Sequence, residues 1–252
     1  MTQDFVTPGK ILKPYPAAED VFVPDQVGLI RHLHPLVSVD LSAANPDWSG
    51  WAHILSPIEP YNHNIGELTK EYHSDFLREN FIGFKLEGDR YRLLGDPRYF
   101  LMENPIETVF NQLHIKAQPR MHAVYKELAK HYVEEEASYR AASASYLKHG
   151  ALYFLNDNGE RHDGNPDPQP LIEQLGGAAG FGNWMEGADF PIIHAPYQGG
   201  GPEEVWPLSP AGNRFEFVAS TAGYPYRKHG ADSILLFYEP KERIALLTFD
   251  WT

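Results

Sequence analysis

The stretch GADSILLFYEPKERIALLTFDWT, residues 230–252, decides how the rest of the chain is read. Two runs of apolar, aromatic and β-branched residues flank the polar EPKER, and Pro240 marks a turn between them. Chain ends are usually polar and frayed. This one closes on Trp251 and Thr252, in a run too apolar for a tail or an exposed sheet edge. The segment is therefore expected inside a sheet or beneath a long helix.

Working back from that pair, RFEFVAST (214–221) reads as a third strand. Before it lie a loop, HAPYQGGGPEEVWPLSPAG, and a glycine-rich segment, LIEQLGGAAGFGNWMEGADFP. ERHDGNPDPQP is a polar loop, NDNG a tight turn and ALYFL (151–155) a short strand. The clearest helix starts at Pro119, suited to a first turn, and runs towards Gly150, a natural terminator. Met121, Val124, Tyr125, Leu128, Tyr132 and Val133 form its apolar stripe, and a break is expected in the Ala/Ser-rich stretch 137–145. Glu134, Glu135 and Glu136 are read as a solvated face.

Further upstream, NPIETVFNQLHIK (104–116) has a proline near a helix start. FIGFKLEGDRYRLLG (81–95) reads as a hairpin turning at EGD. Residues 62–80 look helical, with Ile65, Leu68, Tyr72, Phe76 and Leu77 three to four apart. PLVSVDLS (35–42) alternates like a strand, and the proline-rich first 30 residues form an irregular arm with a short strand at DVFVPD. The reading is a single domain, 1–252, with a mixed part up to residue 150 and a β-rich part after it.

Composition bounds the function. Hydrophobic residues make up 42% and charged residues 22%, enough for a full core and unlike a disordered chain. With no cysteine, disulfides, thiolate nucleophiles and Cys-ligated zinc are excluded. The first residues lack the apolar core of a signal peptide, and no apolar run reaches the ~18–20 residues of a membrane span. A cytoplasmic protein is expected. The net charge of −13, from 34 acids against 21 bases, repels phosphate backbones and attracts a basic partner.

Few motifs carry chemistry. RHLHP places His32 and His34 on one face of a strand, as metallohydrolase barrels do. Those barrels also need repeated βα units, which the β-rich second half does not supply. There is no His-Glu-x-x-His and no Gly-x-Ser-x-Gly. GGAAGFG (176–182) looks like a phosphate loop but lacks its Lys and Ser/Thr, so a turn between packed elements explains it better. The loops from 157 to 204 combine aromatic residues with acids, as a surface for a basic protein would. Asp157, Glu160, Asp163, Trp184, Glu186, Asp189, Tyr197, Glu203 and Glu204 are the candidate partner-binding residues, although each Trp taken alone reads as core.

LGGAAGFGNWMEGADFP, WPLSPAGNRFEFVAST and the last 23 residues, in that order, resemble the YwqG-like family over roughly the last 80 positions. The chain departs from that pattern at Ser220 and Thr221, where a polar Gln followed by an apolar residue is usual. The resemblance implies an α+β fold: a mostly antiparallel twisted sheet with one long helix and a few shorter helices packed on it. It also implies a place among immunity proteins to bacterial type VI secretion toxins. Such a protein binds and neutralises a toxin without catalysis, and an acidic one suits a basic nuclease. No cofactor, resident metal, membrane or nucleic-acid contact is expected on that reading. The alternatives are a metal-dependent or small-molecule-binding enzyme using His32 and His34, and an intracellular scaffold without a toxin.

Overall fold

A computed structural model describes residues 5–59, 64–105, 118–180, 182–185, 189–195 and 204–251, with side chains of the long helix described from residue 125. The architecture is α+β, built on antiparallel sheets. A three-stranded sheet joins β1 (Leu12–Pro14), β2 (Leu33–Asp40) and β3 (Trp51–Pro57) in that order. A seven-stranded sheet runs β4 (Leu77–Arg78), β5 (Phe81–Glu87), β12 (Ile244–Asp250), β11 (Ser233–Glu239), β10 (Glu216–Thr221) and β7 (Gln174–Leu175), with β6 (Arg90–Leu93) also on β5. β8 (Ile192–Ala195) and β9 (Glu204–Pro207) pair separately.

The last strand lies between β5 and β11, with Leu247 opposite Leu236 on one side and Ile82 on the other. Its apolar run has a simple cause: successive residues serve two cores. Ile234, Leu236, Tyr238, Ala245, Leu247 and Phe249 enter one core with β2 and β3, while Leu235, Phe237, Ile244 and Leu246 enter another with Trp184, Phe190 and Phe215. The turn after Pro240 is held by the Glu239 carboxylate, which accepts from the Lys241 and Glu242 amides at 3.2 and 2.7 Å. The glycine-rich segment closes on the end of β12, where the Asn183 amide donates to Asp250 at 2.8 Å. A Cβ on Gly182 would stand 2.2 Å from the Asp250 carboxylate, so that approach requires glycine.

The long helix α3 (Gln118–His149) follows two four-residue helices, α1 (Ala18–Val21) and α2 (Leu41–Ala44). It continues unbroken through 137–145, and the Gly150 amide donates to the Tyr146 carbonyl at 2.7 Å just beyond its end. Of the expected stripe, Leu128 is buried and Tyr132 faces His32, whereas Val133 is 71% exposed and the side chains of Met121 and Val124 lie outside the described residues; His131, Glu135 and Ala142 are also buried. The reading of all three glutamates as a solvated face is corrected: Glu135 is fully buried, because a distant arginine neutralises it there.

Three local expectations are also corrected. Residues 64–80 form no α-helix; a 3₁₀ turn (Lys70–Tyr72) and β4 stand there. Gly66 has φ +78° and packs against the Tyr99 ring, while Ser74 Oγ accepts from the Phe76 and Leu77 amides. DVFVPD gives α1 and a 3₁₀ run (Pro24–Arg31), with only the single bridge Phe22–Tyr91. ALYFL makes isolated bridges, Leu152 with Gln169 and Leu155 with Arg161, and no strand. The hairpin at 81–95 forms as β5 and β6, with Glu87 opposite Arg90. The helix expected at 104–116, and residues 62 and 63, lie outside the described residues apart from 104 and 105. Among the described residues no helix is long and apolar enough to cross a membrane.

Candidate functional site

Two residues along a strand and one turn along a helix cover similar distances, so a strand and a helix can face each other with matched side chains. His32 and His34, at the start of β2, meet Tyr132 and Glu136 of α3 in this way. The result is a buried polar seam, and its charged groups fall into two chains.

The first chain is Glu103, His32, Tyr132 and Glu59. His32 Nε2 lies 2.7 Å from Glu103, and its Nδ1 lies 2.8 Å from the Tyr132 hydroxyl. That hydroxyl also lies 2.8 Å from Glu59, which accepts from the Leu101 amide at 3.2 Å. The imidazole stacks on Phe100, with centroids 4.6 Å apart. Tyr132 has one proton for two acceptors. Given to Glu59, it makes His32 Nδ1 the donor to Tyr132, with Nε2 either protonated towards Glu103 or accepting from Arg31 Nε at 3.0 Å. Given to His32, it requires a proton on Glu59. Burial pushes Glu59 up to about 7 and His32 down to about 4, so the neutral pair is favoured. Burial also works to raise Glu103, but hydrogen bonds from Arg31 and His32 outweigh it and hold Glu103 below the ordinary carboxylate range.

The second chain is Glu136, His34, Arg227, Glu135 and His229. His34 Nε2 lies 2.9 Å from Glu136 and its Nδ1 lies 3.2 Å from Arg227 Nη1. A guanidinium only donates, so His34 Nδ1 accepts and Nε2 carries the proton. Burial, then the adjacent Arg227, lowers His34 to about 4. Tyr139 stacks on the ring at 4.2 Å and donates to the Pro35 carbonyl at 2.6 Å. Arg227, from the β10–β11 connection, meets the Glu135 carboxylate at 3.2 Å and donates to the Pro57 carbonyl. Burial brings it down to about 10. Glu135 also faces His229 Nδ1 at 2.6 Å.

His32 and His34 do point to one face, but each lies in its own chain, with both ring nitrogens engaged by protein groups. They do not converge as ligands. Another set does: one ligand atom each from His131, Glu135 and His229 lies within 4.8 Å of the others. The sequence search passed over these residues because it sought His-Glu-x-x-His. His131 and Glu135 are four apart on a helix, a spacing that also puts both on one face. Arg227 and His229 carried no local signal.

Beside the seam lies a groove of about 930 Å³ between α3 and the 154–165 loop. Glu134, Ser138 and Ala141 form one wall, Phe154, Asn156 and Asp157 another, and Tyr224, Pro225, Arg227 and Lys228 close it. Phe154 and Tyr224 stack at 5.7 Å, and Tyr224 is 41% exposed. Asp157 holds Lys228 across the rim at 2.6 Å, and Glu160 and Asp163 are exposed on the same loop.

The other candidate residues lie elsewhere. Trp184 is buried among Phe81 and Phe237 and offers no surface. Asp189 is exposed, 3.7 Å from His73 and from Arg78, and Glu204 is half-buried at the start of β9. Glu186, Tyr197 and Glu203 lie outside the described residues. Among the described candidates, Asp157, Glu160 and Asp163 share the groove loop, while Trp184, Asp189 and Glu204 stand on other segments. No protein-family model, curated protein or solved structure matches this chain.

Proposed function

We propose that this chain is an immunity protein of the type VI secretion kind, which binds a basic toxin, a nuclease, in the cytoplasm and blocks it without catalysis. The observation that carries this reading is the acidic loop at the mouth of the groove, where residues 157–164 are exposed and include Asp157, Glu160 and Asp163. Lys228 pairs with Asp157 and Arg161 lies over the Tyr153 ring at 3.8 Å, so Glu160 and Asp163 supply the remaining acidity of the loop. With a net charge of −13 behind it, this rim complements the basic cleft a nuclease needs. Tyr224 supplies the aromatic anchor that such interfaces favour. The YwqG-like resemblance of the C-terminal part supports the same reading.

The test is binding of the purified chain to the product of the adjacent gene, with survival of cells expressing that product as a second readout. The triple variant Asp157→Lys, Glu160→Lys and Asp163→Lys is expected to weaken binding by about 10- to 100-fold at low salt, mostly through the association rate. Unchanged affinity would remove the groove loop from the interface. Failure of the wild-type chain to bind or to protect would overturn the immunity reading.

A further inference from the structure

We propose that His131, Glu135 and His229 form a three-ligand site for a zinc-class divalent cation, clasping α3 to the β10–β11 connection. Their ligand atoms already lie within 4.8 Å of one another. Bonds of about 2.0–2.2 Å in a tetrahedral site place ligand atoms roughly 3.3 Å apart. The 2.6 Å approach of His229 Nδ1 to Glu135 Oε1 therefore opens by under about 1 Å as the cation replaces the shared proton. His229 has the freedom to do so, since its side chain is 55% exposed.

The surrounding contacts hold the set in place. His131 Nε2 donates to the Ile58 carbonyl at 3.0 Å, which fixes the ring as outer-shell carbonyls fix metal-bound histidines. The other Glu135 oxygen, Oε2, takes Arg227 Nε and the His229 amide, each at 3.2 Å, and so orients the carboxylate while Oε1 faces His229. Arg227 Nε also donates to the His229 carbonyl at 2.6 Å, and the Lys228 amide donates to Ser138 of α3. The loop is thus seated on the helix at several points; His229 opens away from Glu135, and the other ligand atoms, within 4.8 Å, settle to about 3.3 Å.

Two imidazoles and one carboxylate favour zinc over calcium or magnesium, which prefer all-oxygen sets. Three protein ligands leave a fourth position for water or a further donor. The inference does not depend on the immunity reading, because it concerns the chain alone.

The experiment is calorimetric titration of Zn²⁺ into the untagged full chain after chelator dialysis, with Mg²⁺ as the contrast and thermal unfolding as a second readout. One Zn²⁺ per chain, no Mg²⁺ binding and a Zn²⁺-dependent rise in Tm are expected. His229→Gln, an exposed position that leaves the buried ion pair intact, is expected to weaken Zn²⁺ binding by more than about 100-fold and to abolish the Tm rise. His149→Gln, on the exposed end of α3, is expected to leave both unchanged. No stoichiometric Zn²⁺ binding, or the same affinity in His229→Gln, would overturn the site.

Discussion

The two sides of β2 and β3 show two ways of holding a protein together. Towards the seven-stranded sheet the contacts are apolar: Leu33, Leu36, Val39 and Ile54 share a core with Leu236, Leu247 and Phe249. Such contacts are non-directional, and a neighbour can shift to repair a loss. Towards α3, polar and directional contacts are added to the aromatic packing of Tyr139 and Tyr146. His34 needs Arg227 on one nitrogen and Glu136 on the other, and Arg227 needs Glu135. A burial of this kind fails as a unit when one partner is removed, because the survivor is left charged and dry. The apolar side tolerates approximate fit, whereas the polar side specifies where α3 and the β10–β11 connection must sit.

The largest effect that separates the two sides is expected at Glu135. Glu135→Ala leaves Arg227 buried without its carboxylate, and urea unfolding should show a loss of about 3–5 kcal/mol. Leu247→Ala in the apolar core should cost about 2–5 kcal/mol, a comparable figure from a different cause. The double variants separate the mechanisms. Glu135→Leu with Arg227→Met removes both charges but leaves His34 Nδ1 and the Pro57 carbonyl without Arg227, so it should recover only part of the loss. Leu247→Ala with Leu236→Ala, neighbours across the β11–β12 ladder, should cost more than Leu247→Ala alone. If the double charge replacement were as unstable as Glu135→Ala, the seam would owe its strength to packing shape and the contrast would collapse.

This difference also decides what was legible in the sequence. Burial on both faces is written directly into SILLFYE and RIALLTFDW, because consecutive positions there are mostly apolar, and the strand's place inside the sheet follows. Pro119 and Gly150 mark α3 for a similarly local reason. Its buried face was misread because His131 and Glu135 are polar, and their burial depends on Arg227 and His229, far along the chain. The 3–4 spacing from Ile65 to Leu77 misled for the converse reason: a local pattern was overruled by Gly66 against Tyr99 and by the Ser74 hydroxyl. Of the candidate site, the acids at 157, 160 and 163 were legible as a polar loop. The groove behind them needs Tyr224, Pro225, Arg227 and Lys228 from another connection, and no spacing announces it.

A titration probes the seam histidines together with His53 of β3, which bonds Ser38 and the Asp89 carbonyl. His32, His34 and His53 are each held near 4 by burial, against an ordinary value of 6.5. They are neutral when folded and take up protons when unfolded, so the stability they contribute is full above pH 6.5 and is lost as pH falls towards 4. Glu59, raised from 4.5 to about 7, acts in the opposite sense. Its contribution is full below pH 4.5 and is lost as pH rises through 7. Between 4.5 and 6.5 the buried histidines, His131 among them, outweigh the one carboxyl, so stability should fall on acidification. Glu59→Gln removes the opposing group, and its slope in urea unfolding between pH 6.5 and 5 should be steeper than the wild type's. An equal or shallower slope would show that Glu59 is ionised in the folded chain.

The smallest effect tests whether α3 is held by its polar face at all. Val133 is 71% exposed and Leu147 is 80% exposed, although the apolar spacing of the helix would have counted Val133 among its contacts. If the seam supplies the attachment, Val133→Lys removes almost no buried area and exchanges a β-branched residue for a better helix former. Urea unfolding should then shift by less than about 0.5 kcal/mol, in either direction. A loss approaching that of Leu247→Ala would mean that Val133 is covered in solution. The apolar stripe would then be a second surface of attachment, and the division of labour between the two sides of β2 would no longer hold.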